Sequence, residues 1–367
     1  MFNIQQVRDV VRNMEQPVLS FYLQVSNELQ ENQSDQPAWS IYVKNILRTR
    51  DQETNNQSGG DWKTVRDRAM AYFDGYQPTS RGLVAFFSAS DQQIYELPIA
   101  PQENASSFGE PLVIPLLWLM DEFEPYVVVL IDQEHAQVFS TYLGDMQLER
   151  ELKSDRHQFD FQQITMFHPP SAPQRTGGQP TSGSEKDLFD DMMQEWINRL
   201  YRDVADKVRE YVQKNGRHRL IIGGAEKSAM ALKDMLHEEV MQDFVAILPI
   251  TMHDSRQQII EKILPAADEY ERKTEIELVN QVIDYAKAGG RGALGEKDVQ
   301  DALEQQRVEL LVMPWPGSGL DDETMQAYTL KAMDSSSKFE LVHGEAADRL
   351  MEEGKVGARL YYAVTPV

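Results

Sequence analysis

Tyr126-Val127-Val128-Val129-Leu130-Ile131 is an unbroken apolar run. A strand with one wet face alternates apolar and polar residues, so a run without a polar position suits a strand buried on both faces, at the centre of a sheet covered by helices. Working outward, Ala136 to Thr141 reads as its hairpin partner, and Leu220-Ile221-Ile222 and Phe244 to Leu248 read as further strands. Before Leu220, the apolar positions Phe189, Met193, Trp196, Leu200, Val204 and Val208 keep the spacing of one helix face, behind a capping-box-like start at Ser184 and Asp187. Residues 123–254 are therefore expected to form a mixed α/β sheet domain with one long loop beside its main helix.

The flanking segments repeat the mixture of elements without an internal sequence repeat. Val18 to Leu23 predicts a strand, Ala38 to Arg50 and Trp62 to Phe73 predict helices, and Leu83 to Phe87 with Ile94 to Leu97 predicts a hairpin, closing a unit near 122. After 254 come a long helical pattern between Ser255 and Ala288, a glycine-rich turn from Gly289 to Gly295, and a short helix to Gln305. The strand Val308 to Val312 follows, and alternating elements continue to Arg359-Leu360-Tyr361-Tyr362. The fold class is α/β, in three consecutive domains over 1–122, 123–254 and 255–367, as 367 residues exceed what one core usually serves.

The long loop is distinctive. From Phe161 to Ser184 there is no acidic residue, although Asp and Glu fill 59 of the 367 positions. Pro169, Pro170, Pro173 and Pro180 stand there with Gly177, Gly178 and Gly183, which excludes a helix interior or a central strand. Long loops of this kind in compact domains are functional or disordered. At its centre is Gly177-Gly178-Gln179, in which two glycines allow close backbone approach and the glutamine offers amide donors and an acceptor.

Composition narrows the function classes. A net charge of −23 argues against a nonspecific nucleic-acid coat, while leaving room for contact through local basic or neutral elements. The absence of cysteine excludes a disulfide framework and a thiolate metal site. The longest apolar stretch, Pro111 to Met120, is too short to span a bilayer, and no secretory signal is visible, so a cytoplasmic location without membrane association is expected. The seven histidines show no paired ligand spacing, and no metal or cofactor is expected. Gly223-Gly224-Ala225-Glu226-Lys227-Ser228 lacks the spacing of a phosphate loop and reads as a strand-to-helix turn. Trp118 and Trp196 read as core residues, and Asp321-Asp322 as a helix N-terminal cap.

The whole chain resembles the archaeal and eukaryotic class-1 peptide-chain release factors, their relative Pelota and their bacterial homologues. The resemblance runs through Leu19 to Leu23, Val127 to Phe139 with Asp132 and Ala136 between, and the Gly-Gly-Gln loop ahead of a long helix. It continues through Gly292-Ala293-Leu294-Gly295, Asp298-Val299, Ala302-Leu303 and Val308 to Val312. It implies a ribosome-binding factor that contacts rRNA of both subunits in the A site. Gln179 is then the candidate catalytic residue for hydrolysis of the peptidyl-tRNA ester, where fixed N–H donors stabilise a developing oxyanion. Arg175, Gly177, Gly178 and Gln179 face the peptidyl-transferase centre, and Lys44, Arg48 and Arg50 of the first domain face the decoding centre. The third domain faces a translational GTPase, with elongation factor Tu the bacterial candidate.

Two departures from the release-factor pattern weigh on function. Pro180 follows the tripeptide at once, and residues 185–195 hold five acidic residues against one lysine, where release factors carry an arginine-rich segment. That charge suits a helix N-terminus and suits rRNA phosphate poorly. The nearest match in the first domain to the Asn-Ile-Lys-Ser motif with which eukaryotic factors read stop codons is Asn45-Ile46-Leu47-Arg48, within a predicted helix, and Ile46 or Leu47 is expected to face a core. Two mechanisms stay open: occupation of idle ribosomes, as in the Balon-type hibernation-factor branch of the superfamily, and release or rescue by ester hydrolysis. A metabolic α/β hydrolase is the unrelated alternative.

Overall fold

The computed structural model describes residues 4–54, 60–143, 145–154, 183–216, 218–317 and 319–363. Its helices are α1 (Ile4–Asn13), α2 (Ala38–Thr54), α3 (Gly60–Phe73), α4 (Ile114–Glu122), α5 (Gly183–Asn215), α6 (Glu226–Lys233), α7 (Glu238–Met241), α8 (Arg256–Lys287), α9 (Glu296–Glu304), α10 (Asp322–Asp334) and α11 (Gly344–Glu353). The strands are β1 (Val18–Gln24), β2 (Gly82–Phe87), β3 (Gln92–Leu97), β4 (Ala105–Gly109), β5 (Tyr126–Ile131), β6 (His135–Tyr142), β7 (Asp145–Lys153), β8 (Arg219–Gly224), β9 (Phe244–Leu248), β10 (Gly292–Leu294), β11 (Val308–Pro314), β12 (Lys338–Val342) and β13 (Gly357–Leu360). They form three sheets, in the orders β3-β2-β1-β4, β7-β6-β5-β8-β9 and β10-β13-β11-β12. The chain divides into two compact units, one of Met1–Phe123, Leu143–Asp145 and Glu269–Val367, the other of Glu124–Tyr142 and Met146–Asp268.

The second unit bears out the reading of Tyr126–Ile131. β5 pairs antiparallel with β6 and parallel with β8, and all six of its residues are buried. On one face Val127, Val129 and Ile131 pack with Leu200, Tyr201, Val204, Ala205 and Val208 of α5. On the other, Tyr126, Val128 and Leu130 pack with Phe139, Ile250, Ile259 and Ile263. Two apolar faces at alternate positions are what turn a strand's sequence into a continuous hydrophobic run.

In the first unit, β1 is the inner strand of an antiparallel sheet, between β2 and β4. Leu19, Phe21 and Leu23 face the helix pair, packing with Trp39, Val43 and Leu47 of α2 and with Trp62, Val65 and Ala69 of α3. Tyr22, on the opposite face, donates its hydroxyl to the Leu112 carbonyl at 2.6 Å. The remaining sheet of this unit pairs β11 parallel with β12 and antiparallel with β13. Its core joins Leu310, Val312 and Val342 to Val279, Val282 and Ile283 of α8 and to Ala346 and Leu350 of α11.

Side chains from far apart in sequence tie the first unit together. Arg8 donates to the Ser337 carbonyl at 2.9 Å, and Asp121 accepts from the Leu341 N–H at 3.1 Å. Arg272 bridges Glu122 at 3.0 Å and the buried Glu275 at 2.6 Å. Trp118, expected in a core, is half-buried instead: its indole N–H donates to His343 Nε2 at 2.9 Å, and His343 Nδ1 meets Glu275 at 3.1 Å. An indole needs a partner for its one donor, which is why this ring sits at a polar seam. Trp196 is likewise half-buried.

α8 is one helix through Pro265. Its early positions Ile259 and Ile263 belong to the core of one unit, and its later positions Val279, Val282 and Ile283 to the core of the other.

Candidate functional site

Gly177, Gly178, Gln179 and Arg175 lie outside the described residues, and the frame on either side of them is what the structure describes. β7 ends at Lys153, and the Ser154 N–H donates to the Glu134 carbonyl at 2.8 Å, tying the strand's end to the β5–β6 turn. In that turn Asp132 Oδ1 accepts the N–H groups of Glu134 and His135, each at 2.7 Å, a side-chain closure that explains an aspartate at its first position. On the far side of the loop, α5 is already helical at Gly183, so Ser184 lies inside the first turn and not ahead of it. From Asp191 onward the first buried residue is Leu200. At 1.5 Å per residue, about 25 Å of helix lies between Gly183 and Leu200, although the half-buried Ile197 already packs against the sheet core. Of the acidic residues at the start of α5, Asp191 and Glu195 are exposed, and Glu195 pairs with Arg202 at 2.8 Å.

The three cations expected to act together are all on α2 but do not share a face. Lys44 and Arg48 are one turn apart and both exposed. Arg50 is rotated about 120° from Lys44 at 3.6 residues per turn, and it pairs with Glu53 at 3.1 Å. Leu47 is buried at 6% exposure among Trp39, Val43 and Trp62, and Ile46 packs against the same cluster. The position that in the stop-codon motif carries lysine is therefore a core position here.

Lys44 and Arg48 border a groove of about 650 Å³ whose floor includes Trp39, Val43, Leu47 and Phe73 and whose rim carries Asp35 and Asp74. Asp51, also on its wall, is spoken for: it accepts from Trp62 Nε1 at 2.7 Å and from Arg66 Nη1 at 3.0 Å. Arg66 is held charged, its pKa raised first by its bond to Asp67 and then by Asp51. On the neighbouring face Tyr72 and Tyr76 stack with ring centroids 5.5 Å apart. Burial, with Glu96 nearby, pushes the Tyr72 phenol up to about 12 and that of Tyr76 further still. Both stay neutral at physiological pH; Lys44, Arg48 and Lys63 are exposed cations of this helix pair with no carboxylate bonded to them among the described residues, and Arg68 donates to the Ala89 carbonyl at 3.0 Å. No sequence signal pointed to the Asp51–Arg66 tie, which joins two helices through residues that look like ordinary surface charges.

Other sequence candidates resolve into structure. The Gly223-Gly224 pair closes β8 against β5: a Cβ at Gly224, whose φ is +146°, would stand 2.2 Å from the Ile131 carbonyl oxygen. Close strand packing, not phosphate cradling, accounts for both glycines. Asp321 caps α10, its carboxylate accepting the Thr324 N–H at 2.7 Å. Among the described residues no group of His, Asp and Glu could hold a metal ion, and no helix is long and apolar enough to cross a membrane.

Residues 111–268, which contain the middle sheet and the Gly-Gly-Gln loop, match the sequence model of the family described as bacterial archaeo-eukaryotic release factor family 10. Over that segment, a little under half of its length, the chain is similar to the bacterial branch of the release-factor and Pelota proteins. Among solved structures it is similar to an archaeal translation termination factor, aRF1, at 15% identity over 97% of this chain and 96% of that one, with a TM-score of 0.28. Archaeoglobus fulgidus Pelota matches at 16% identity over 79% and 82%, with a TM-score of 0.36. Dom34 of S. cerevisiae, described as a translation termination-like factor involved in RNA quality control, matches at 13% identity over 75% of each chain, with a TM-score of 0.45. No curated protein matches the chain.

Proposed function

We propose that this protein is a ribosome-binding factor that occupies the A site of idle ribosomes without reading a stop codon. The observation that carries the reading is a release-factor family match that encloses Gly177-Gly178-Gln179. In this reading residues 1–122 reach the decoding centre, 123–254 approach the peptidyl-transferase centre, and 255–367 face a translational GTPase, elongation factor Tu in a bacterium. Burial of Leu47 supports the absence of codon reading, because the side chain at that position is part of a core and is not offered to RNA. The acidic start of α5 supports occupation over catalysis, since like charge beside rRNA phosphate works against the firm positioning that an ester hydrolase needs.

The tripeptide itself favours a second reading, in which Gln179 helps water attack the peptidyl-tRNA ester. Peptide release from ribosomes carrying peptidyl-tRNA, assayed with the protein and its GTPase, separates the two. Occupation predicts negligible release and unimpaired protection of idle ribosomes by Gln179→Ala, with protection weakened when 173–183 are deleted. Robust release by the wild type, slowed in Gln179→Ala with little loss of binding, would establish catalysis instead.

A further inference from the structure

One end of the sheet β10-β13-β11-β12 gathers arginine and tyrosine. β13 runs antiparallel to both β10 and β11, so the residues that enter those two strands meet the residues that leave β13. The Leu360 N–H donates to the Arg291 carbonyl at 2.9 Å, and the Tyr361 N–H to the Arg307 carbonyl at 3.0 Å. Arg291 and Arg307 thus flank the end of β13, with backbones about 10 Å apart, two strand spacings. Tyr361 and Tyr362 follow at 50% and 57% exposure. A single exposed apolar residue needs no explanation, but two consecutive open rings beside two arginines form a patch.

Neither arginine makes an ion pair among the described residues. Arg291 lies 5.9 Å from the centroid of the Tyr285 ring, and Arg307 has its Nε buried without a hydrogen-bond partner. Arg359, on the same strand as the patch, shows the contrast: Glu309 neutralises it through two bonds of 3.1 Å. A chain of net charge −23 repels anions at a distance, so an anionic partner has to be held by local cations left uncompensated. A protein partner would call for a wider apolar centre. Met351, another exposed apolar side chain of residues 255–367, instead lies with Lys355 beside Gly319, ahead of the opposite end of β13.

We propose that Arg291, Arg307, Tyr361 and Tyr362 form a binding surface for unpaired RNA, the guanidinium groups meeting phosphates and the rings stacking on bases. The assignment deepens the ribosomal reading and rests on it only for the source of the RNA. The test is fluorescence anisotropy of the full chain with labelled oligouridine and oligoadenosine across a salt series, run beside co-sedimentation with ribosomes. Binding is expected with both sequences. Tyr361→Ala with Tyr362→Ala should weaken it about ten-fold at an unchanged salt slope. Arg291→Gln with Arg307→Gln should flatten the log–log salt slope by about 1.4, about 0.7 for each phosphate no longer neutralised. The tyrosines are exposed, so their variant carries the test even where circular dichroism shows the arginine variant misfolded. No RNA binding by the wild type at low salt, or wild-type affinity in the tyrosine variant, would overturn the proposal. So would preferential capture of oligoglutamate, lost in both variants, which would mark an acidic protein site. Ribosome sedimentation without oligonucleotide binding would remove this patch and leave the functional reading standing; oligonucleotide binding without sedimentation would do the reverse.

Discussion

Lys44 and Arg48 differ from Arg50 in one respect that sequence spacing alone does not show at a glance: what their charges already bind. Arg50 spends part of its field on Glu53 at 3.1 Å, whereas Lys44 is exposed and Arg48 reaches only the neutral Asn45 side chain, at 3.4 Å. If this helix meets rRNA, Lys44→Ala with Arg48→Ala should weaken ribosome binding and lower its salt slope by about 1 to 2. Arg50→Ala alone should change the slope by less than either of the other two, because its loss also frees a carboxylate. Binding measured by pelleting across a salt series checks both statements, and an unchanged slope in the double variant would place these cations in solvent. The face carrying them was legible from the sequence because Trp39, Val43 and Leu47 mark the opposite, buried stripe at helical spacing. The ties of Asp51 to Trp62 and Arg66 were not legible, since they join residues 11 and 15 positions apart across a helix pair whose packing no local pattern encodes.

Among elements, those that bury two faces were the clearest in the sequence. β5 and β8 stand at the centre of their sheet and read as apolar runs, as does β1. β4 and β7 escaped because each is an outer strand of its sheet. Ala105 to Gly109 has no fully buried residue, and along Asp145–Lys153 only Met146 is buried, so neither segment needs an apolar alternation. The same logic hides α1, whose buried residues are only Val7 and Val10. Pro265 interrupts the backbone bonding of α8, yet the helix continues because apolar residues on both sides of the proline are fixed in cores. Strand packing also supplies a sharp test of the reading of Gly224. Gly224→Ala should destabilise the protein by about 1–3 kcal/mol, through a strained φ and a clash with the Ile131 carbonyl, measured as a shift in denaturation midpoint. A phosphate-binding role would instead predict near-native stability with loss of a phosphorylated ligand. The Gly-Gly-Gln loop stood out in sequence by the absence of acid and the density of proline and glycine, and its own geometry lies outside the described residues.

At the scale of the whole molecule, a net charge of −23 has to be reconciled with the proposed partner, which is made largely of RNA. Long-range repulsion falls off within roughly 10 Å at moderate ionic strength, so contact is governed by local chemistry once the surfaces meet. The acid-free stretch 161–184, the Lys44 and Arg48 face, and the Arg291, Arg307 and tyrosine patch are three places where that chemistry departs from the acidic average. They fall in three different segments, each of which contains one of the three sheets. Such a distribution suits a factor that touches RNA at several separated points and does not coat it. The direct measurement is sedimentation of the tagged full-length protein through sucrose gradients of lysate from growing, starved and cold-stressed cells. The account predicts that it travels with ribosomal particles from starved or stressed cells and is released as salt is raised. Its absence from ribosomal fractions under all three conditions would contradict the account.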